Sequence, residues 1–368
     1  MSTSVKNHRI AHLAQVLEEN GIDCFVAQDP ISMGYLHGYH EHAGERFMAL
    51  SIKCSGEIRM ICPALSQSQV KRAGIEDVRP WKDGENPLAL FEELAADWNL
   101  KSAIIAVDSN MPARMLLQMQ SVLPAALFKS GETYLAQLMR VKAEDEIDLL
   151  RRAGKIADDA FDAVYPKIRA GLTEKQVDKL LVDAMVERGG EPYFCIVAAG
   201  PNSAEPHHLS DDTILKDGDT LILDFGCDLE GYKSDITRTV AVGKATEKAK
   251  QVYDIVFRSH MAGRAASKSG ATCGSVDAAA RKVIDDAGFG QYFVHRTGHG
   301  LGLNGHEEPY IIGGSEEVLV PGNCFSIEPG IYLSGELGVR VENIVVTTPD
   351  GHESMNREPS PTLLEVGV

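Results

Sequence analysis

The sequence predicts two domains of mixed type: an α/β domain over residues 1–135 and an α+β domain over 136–368. Three observations carry this. The chain has 368 residues, and at about 150 residues per domain that is roughly two. Its first third alternates short apolar runs with helix-like stretches, the pattern of a small α/β domain. Near residue 140 the texture changes, and beyond about 191 strand-like segments joined by glycine turns surround a single helical block.

In chain order, Ile10, Leu13, Val16 and Leu17 recur at helical spacing, and that helix ends at Gly21. Strands follow at Asp23–Ala27, Phe47–Ile52, Ile58–Ile61 and Ala103–Val107, with helices at Ser66–Ala73 and Pro87–Asn99. The domain boundary falls near residues 130–142. There Glu144, Asp145 and Glu146 open a helix, where the macrodipole favours acids. Ile147, Leu150, Ala153, Ala157, Ala160, Phe161 and Val164 give that helix its apolar face. Thr173 with Gln176 three residues later is a capping box for the next helix. Lys244 to Ala287 reads as the helical block among the later strands.

Composition narrows the function. Apolar residues make up 44% and the net charge is −17, so a core can form, while phosphate backbones and anionic lipids are repelled. No basic patch offsets this, which predicts neither nucleic-acid nor membrane binding. No apolar run approaches the roughly 20 residues that span a bilayer. Met1 to Arg9 is polar and lacks the core of a signal peptide. The seven cysteines are odd in number, scattered and without a C-x-x-C pair, which points to a reducing compartment. A cytoplasmic protein is expected.

The chemistry concentrates in the second domain. Leu221–Gly226 and Tyr232–Val240 read as two strands of a hairpin. If Asp228 pairs with Gly231, Asp224 and Asp235 fall directly opposite on one face, with Cβ atoms about 5 Å apart. Such a pair needs positive charge between it, from Arg238 or a metal ion; two solvated carboxylates on an exposed hairpin are the plain alternative. Glu328 and Glu342 form a second pair, among apolar neighbours and flanking a turn at Ser334-Gly335-Glu336. Burying them without partners is expensive, and Arg340 could pair with one. Between the clusters, His295, His299 and His306 occupy twelve residues amid glycines, and His207-His208 lies in a loop. Gly300, Gly302 and Gly305 spell G-x-G-x-x-G, but His306-Glu307-Glu308-Pro309 follows rather than a helix, so no dinucleotide fingerprint is read. Asp224-Phe225-Gly226 lacks the other kinase motifs. Four carboxylates and a histidine suit manganese, cobalt or zinc, and two such ions can activate a water for hydrolysis.

These motifs, in order D-F-G, S-D-I-T-R-T-V, G-H-G-x-G-x-x-x-H-E, S-I-E-P-G-I-Y and R-V-E-N, resemble the M24 metallopeptidase family of methionine aminopeptidase, aminopeptidase P and prolidase. The resemblance covers about residues 140–365 and implies a pita-bread catalytic fold. The segment Ile31–Tyr39 is similar to the Y-L-x-G-[FY] stretch of the prolidase and aminopeptidase P branch, which implies a creatinase-like N-terminal domain. For the site, the resemblance implies two divalent ions (manganese, alternatively cobalt or zinc) held by Asp224, Asp235, His299, Glu328 and Glu342. Asp235 and Glu342 would span both ions, with Asp224 on one and His299 and Glu328 on the other. Glu328 would also be the general base, His306 would bond the scissile carbonyl, and His207 would shuttle protons. His295, Tyr310 and Arg340 would surround the substrate, Arg340 by orienting the carboxylates.

The activity implied is hydrolysis of Xaa-Pro bonds in a small peptide with proline second, by an Xaa-Pro dipeptidase, usually a homodimer. Aminopeptidase P action on longer peptides, or opening of a small amide as in ectoine hydrolase relatives, are the alternatives on the same scaffold. A metal-free peptide-binding module would have lost ligands, and none is missing here. One departure stands out. Some prolidases carry an arginine shortly after the second histidine motif, where this chain has His306-Glu307-Glu308-Pro309-Tyr310; Arg46 or a partner subunit's arginine is the substitute expected to hold a dipeptide's terminal carboxylate.

Overall fold

The computed structural model describes residues 3–42 and 44–367. The chain divides into two compact units, Met1–Met139 and Arg140–Val368.

The first unit is a six-stranded sheet with helices. Its strands are β1 (Cys24–Ala27), β2 (Ala49–Lys53), β3 (Ile58–Pro63), β4 (Val78–Trp81), β5 (Ile104–Val107) and β6 (Leu127–Ser130). They lie in the order β4-β3-β2-β1-β5-β6, antiparallel where β2 meets its neighbours and parallel elsewhere. The helices are α1 (Thr3–Glu19), α2 (Pro30–His37), α3 (Gln67–Arg72), α4 (Pro87–Asp97), α5 (Ala113–Val122) and α6 (Glu132–Met139). The Ile31–Tyr39 segment is thus mostly α2. Asp29 caps its start by accepting from the Ser32 amide, and Gly38 ends it at φ 72°.

The second unit opens with α7 (Glu144–Val164) and α8 (Glu174–Glu187), the latter capped by the reciprocal Thr173–Gln176 bonds that the sequence signals. Strands β7 (Glu191–Ala199), β8 (Thr220–Leu229), β9 (Tyr232–Lys233) and β10 (Ile236–Val242) follow. The helical block is two helices, α9 (Glu247–Ala266) and α10 (Cys273–Asp286), parted at Ser267–Thr272. Then come β11 (Gly298–Gly300), β12 (Glu307–Ile311), β13 (Cys324–Ile327), β14 (Gly330–Leu333), β15 (Leu337–Arg340), β16 (Asn343–Thr348), β17 (Gly351–Ser354) and β18 (Leu364–Val366). One sheet runs β18-β10-β8-β7 with β9 on β8; another runs β12-β11-β13-β16-β17; β14 and β15 form a ribbon.

Side-chain alternation sorts these strands into a helix-facing and an inner face. On β8, Leu221, Leu223, Phe225 and Cys227 join the core beneath α7 and α8, which leaves Ile222 and Asp224 on the other face. On β13, Phe325 and Ile327 pack with residues of α10, and Ser326 between them points inward. On the β14–β15 ribbon, Ile331, Leu333, Leu337 and Val339 pack with α9, and Tyr332 and Arg340 take the opposite face.

Leu223 is fully buried in this core. Leu223→Ala is expected to cost about 2–5 kcal/mol, whereas Leu209→Ala, at a side chain 80% exposed, should stay within about 0.5 kcal/mol. Denaturant titration of the two variants measures the difference.

Candidate metal-binding and catalytic site

A cleft of about 980 Å³ in the second unit is lined by Asp224, Asp235, His299, Glu328, Glu342, His207, His295, His306 and Arg340, among others. The four carboxylates and four of the histidines singled out in the sequence therefore meet in one place, while His208 does not line it. Tyr310 is set back from the wall, its ring beneath the Arg296 guanidinium at 4.5 Å.

The first carboxylate pair arrives in a register different from the one the sequence suggested. Leu229 pairs with Tyr232 and Asp228 with Lys233, and Asp224 lies opposite Thr237 rather than Asp235. The turn is the cause. Glu230 and Gly231 take φ of 55° and 94°, a tight two-residue turn suited to a twisted hairpin, and the Gly231 amide donates to Asp228 Oδ1 at 2.6 Å. The register moves by two residues, so both aspartates keep the same face. Asp235 sits in the gap between β9 and β10, where the strand leaves the ladder.

The second pair also occupies a gap. Ile327 pairs with Asn343 in one ladder and Gly330 with Arg340 in the next, so both ladders share a register. Glu328 and Glu342 fall opposite each other where Pro329 interrupts them. Glu342 is tied across to β10: its amide donates to the Thr237 carbonyl at 3.2 Å, and Thr237 Oγ1 donates to its Oε2 at 2.7 Å.

His299 is delivered by a bulge between Gly298 and Gly300. A Cβ at Gly298 would lie 1.8 Å from the Ser326 carbonyl oxygen, and one at Gly300 2.3 Å from that of Glu308, so both must be glycine. His299 Nδ1 lies 3.1 Å from the Gly300 carbonyl. With its proton there, Nε2 faces Glu328 Oε1 at 3.2 Å and Asp235 Oδ2 at 4.0 Å. That is acceptor against acceptor, which a cation or a second ring proton relieves.

Arg340 is buried and pairs with neither glutamate. It donates to Asp224 through Nη2, to Thr237 Oγ1 at 3.1 Å through Nε, and to the Tyr332 hydroxyl at 2.8 Å through Nη1. Tyr332 reaches His295 Nε2 at 2.8 Å, and His295 Nδ1 reaches the Arg296 carbonyl at 2.7 Å. The donors run in one direction along this chain and make His295 neutral, in line with the burial that pushes its pKa down. Arg238 is also buried, bonding the Thr237 and Glu342 carbonyls and facing Asp158 rather than the aspartate pair.

The donor set fits divalent cations. Asp235, His299 and Glu342 each offer a ligand atom within 4.8 Å of the others. Asp224 Oδ1 and Glu342 Oε1 are buried without a hydrogen-bond partner, a costly state for a carboxylate oxygen. Burial, then Glu342, Asp224 and Glu328, push Asp235 well above the carboxylate range. Burial, with Glu328 and Asp224, does the same to Glu342. Burial opposes ionisation of Glu328 too, but His299, His295 and Arg340 outweigh it and hold that carboxyl down to about 2. On the open side, loss of water around the His306 ring, with His299 and Arg296 adding, lowers its pKa to about 4; its ring lies 3.8 Å from that of His299.

Residue-level reading of the sequence overlooked Arg296. It lines the cleft, and its Nη2 approaches His306 Nδ1 at 3.4 Å. Its place in His295-Arg296-Thr297-Gly298-His299, three residues before a ligand candidate, was the available signal. Arg46 lies in the first unit, where it pairs with Asp83.

Comparison with known proteins agrees with this architecture. Residues 148–349 match the model of metallopeptidase family M24, and residues 9–141 that of the creatinase/prolidase N-terminal domain. The chain belongs to metallopeptidase family M24. It is 38% identical over 358 residues to the probable dipeptidase PepE of Mycobacterium tuberculosis, covering 95% of this chain and 94% of the relative. It is 35% identical to the Xaa-Pro dipeptidase of Lactobacillus delbrueckii subsp. lactis, over 91% of this chain and 93% of that one. The crystal structure of dipeptidase PepE from Mycobacterium ulcerans superposes with a TM-score of 0.94 at 38% identity, covering 100% and 99% of the two chains. Among the described residues no helix is long and apolar enough to cross a membrane.

Removing divalent cations should destabilise the protein, and more so at higher pH. In the cation-free cleft Asp235 and Glu342 have raised pKa values, so their unfavourable contribution is absent while they are protonated. It grows as pH rises above the ordinary carboxylate range and through their folded values. Glu328, held low, is ionised throughout and adds no slope. Calorimetry of manganese-saturated and metal-free protein should therefore show a Tm gap that widens from pH 5 to pH 8.

Proposed function

We propose that the chain is an Xaa-Pro dipeptidase working with two divalent ions, manganese first among them. The observation that carries this is the meeting of four carboxylates and His299 in one cleft, two of their buried oxygens without partners. Asp235 and Glu342 would be shared between the ions, with Asp224 completing one set and His299 and Glu328 the other. Bound there, the ions would polarise the scissile carbonyl and lower the pKa of the attacking water.

The chain's own groups do the rest. Glu328, at the gap in its ladder, takes the water's proton and passes it to the imino nitrogen of the leaving proline. A guanidinium only donates, so His306 Nδ1 accepts from Arg296 and Nε2 keeps its proton, ready to donate to the developing oxyanion. His207, at the exposed side of the cleft, exchanges protons and contacts the substrate. His295, both nitrogens committed, offers its ring to the proline. Arg296, stacked on Tyr310 and fronting the cleft, is our candidate for holding the dipeptide's terminal carboxylate. The protein would act in the cytoplasm, as a homodimer.

Two experiments test this. A manganese-loaded sample is offered an Xaa-Pro dipeptide, its C-terminal amide and an Xaa-Pro-Yaa tripeptide. The dipeptide should be cut in preference, and Arg296→Met should raise its KM about 10- to 100-fold, the worth of a charged hydrogen bond, with much less effect on the amide. Preference for the tripeptide would instead indicate an aminopeptidase P, and inertness toward all three would turn attention to small cyclic amides. Separately, His306→Ala should lower kcat about 10²- to 10³-fold while metal content by elemental analysis stays at the parent level.

A further inference from the structure

His208, next to the cleft residue His207, turns away from the cleft toward Glu174. Glu174 is fully buried at the first turn of α8. Its Oε1 accepts from the Ala199 amide at 2.8 Å and from Asn202 Nδ2 at 3.0 Å. Its Oε2 takes His208 Nε2 at 2.8 Å and the Asp211 amide at 3.0 Å. One carboxylate thus gathers four points of the segment from the end of β7 to Asp211. Glu174, His208 and Asp211 could by position hold a metal ion, but a carboxylate has about four acceptor sites and all are taken. The arrangement is therefore a clamp.

What the clamp holds is the turn that carries His207. The His208 amide donates to the Glu205 carbonyl at 3.0 Å, and the Pro206 carbonyl accepts from Arg340 Nη1 at 3.4 Å. Before the turn, Ser203 Oγ bonds the Gly200 carbonyl and accepts from the Gly338 amide. Leu209, just after it, is 80% exposed. His207 itself is exposed, so its position depends on what fixes the backbone on either side.

We propose that Glu174 and His208 are positioning residues that set His207 against the cleft and touch no substrate themselves. The inference rests on the peptidase reading for what His207 does, and on geometry alone for what holds it. A displacement of about 1 Å at a reacting group can cost about 100-fold in rate, and His208 is the neighbour of His207 whose side chain ties this turn to Glu174.

A double-mutant cycle with a second readout tests this. His208→Ala should lower kcat for the Xaa-Pro dipeptide about 10- to 100-fold with KM and metal content little changed. Amides of residues 199–211 should exchange hydrogen faster. His208→Gln, which can donate to Glu174, should recover most of the rate. The variant lacking both histidines should be no slower than His207→Ala alone, because His208 acts through His207. Losses that multiply, or unchanged exchange in His208→Ala, would overturn the proposal. If His208→Ala does not fold, the exchange and rate of His208→Gln against Glu174→Gln, which turns one acceptor oxygen with its two acceptor sites into a donor, decide the same question. Inactivity of the parent protein toward Xaa-Pro peptides would sink the peptidase reading alone, and the exchange measurement would still decide the clamp.

Discussion

Four carboxylates held around one guanidinium in a desolvated cleft are the constraint on which the second unit depends. Two like charges 4 Å apart repel by about 4 kcal/mol at an effective dielectric of 20, and Arg340 answers only Asp224 directly. The fold brings the groups in from two ladders rather than one. Thr237 sits between them, bonding Glu342 and accepting from Arg340. Ser326 Oγ donates to Glu328 at 3.0 Å and accepts from the His299 amide at 3.0 Å. These bonds fix orientation and leave the net negative charge in place. That charge attracts divalent cations, and metal binding and folding stability are coupled through it.

The same arginine links the carboxylates to the His295 side of the cleft. Arg340 donates to Asp224 on one side and to Tyr332 on the other, and from Tyr332 the donors run on through His295 to the Arg296 carbonyl. Buried chains of this kind polarise one another and are strong only when fully satisfied. A ligand's arrival at Asp224 and the shape of the pocket beside His295 are therefore not independent, because one planar guanidinium sets both.

The ligand candidates were legible in the sequence because each sits in a short run of strand residues and turn glycines. The aspartate register was misjudged by two residues, since the positive φ of Glu230 and Gly231 cannot be read from composition. Period-two alternation kept Asp224 and Asp235 on one face regardless. In the first unit, α2, α5, α6, β4 and β6 escaped a reading based on apolar runs. Strand β6 is mostly exposed, and β4 holds a proline and an arginine. The single block from Lys244 to Ala287 hid a break that Thr272, capping α10 by accepting from the Ser275 amide, makes physically necessary. Glu174 was invisible as anything but a first-turn acid, because its partners lie 25 to 37 residues away.

The site's groups divide by how they are supported. Asp224, Asp235, His299, Glu328 and Glu342 stand on strands or in gaps within ladders, where neighbouring pairs fix the backbone. His207 and His306 stand on exposed turns, where no ladder does so. Each of these two is followed in the chain by a residue whose side chain turns inward to a buried ionisable partner. His208 goes to Glu174. Glu307 pairs with Lys142, both side chains less than a tenth exposed, and also accepts from the Asn304 amide at 3.2 Å. A loop that presents a histidine to an open cleft is exposed on one side, so it cannot be fixed by packing on both. Placing the anchor one residue further along fixes the backbone from beneath and leaves the histidine's ring facing the cleft.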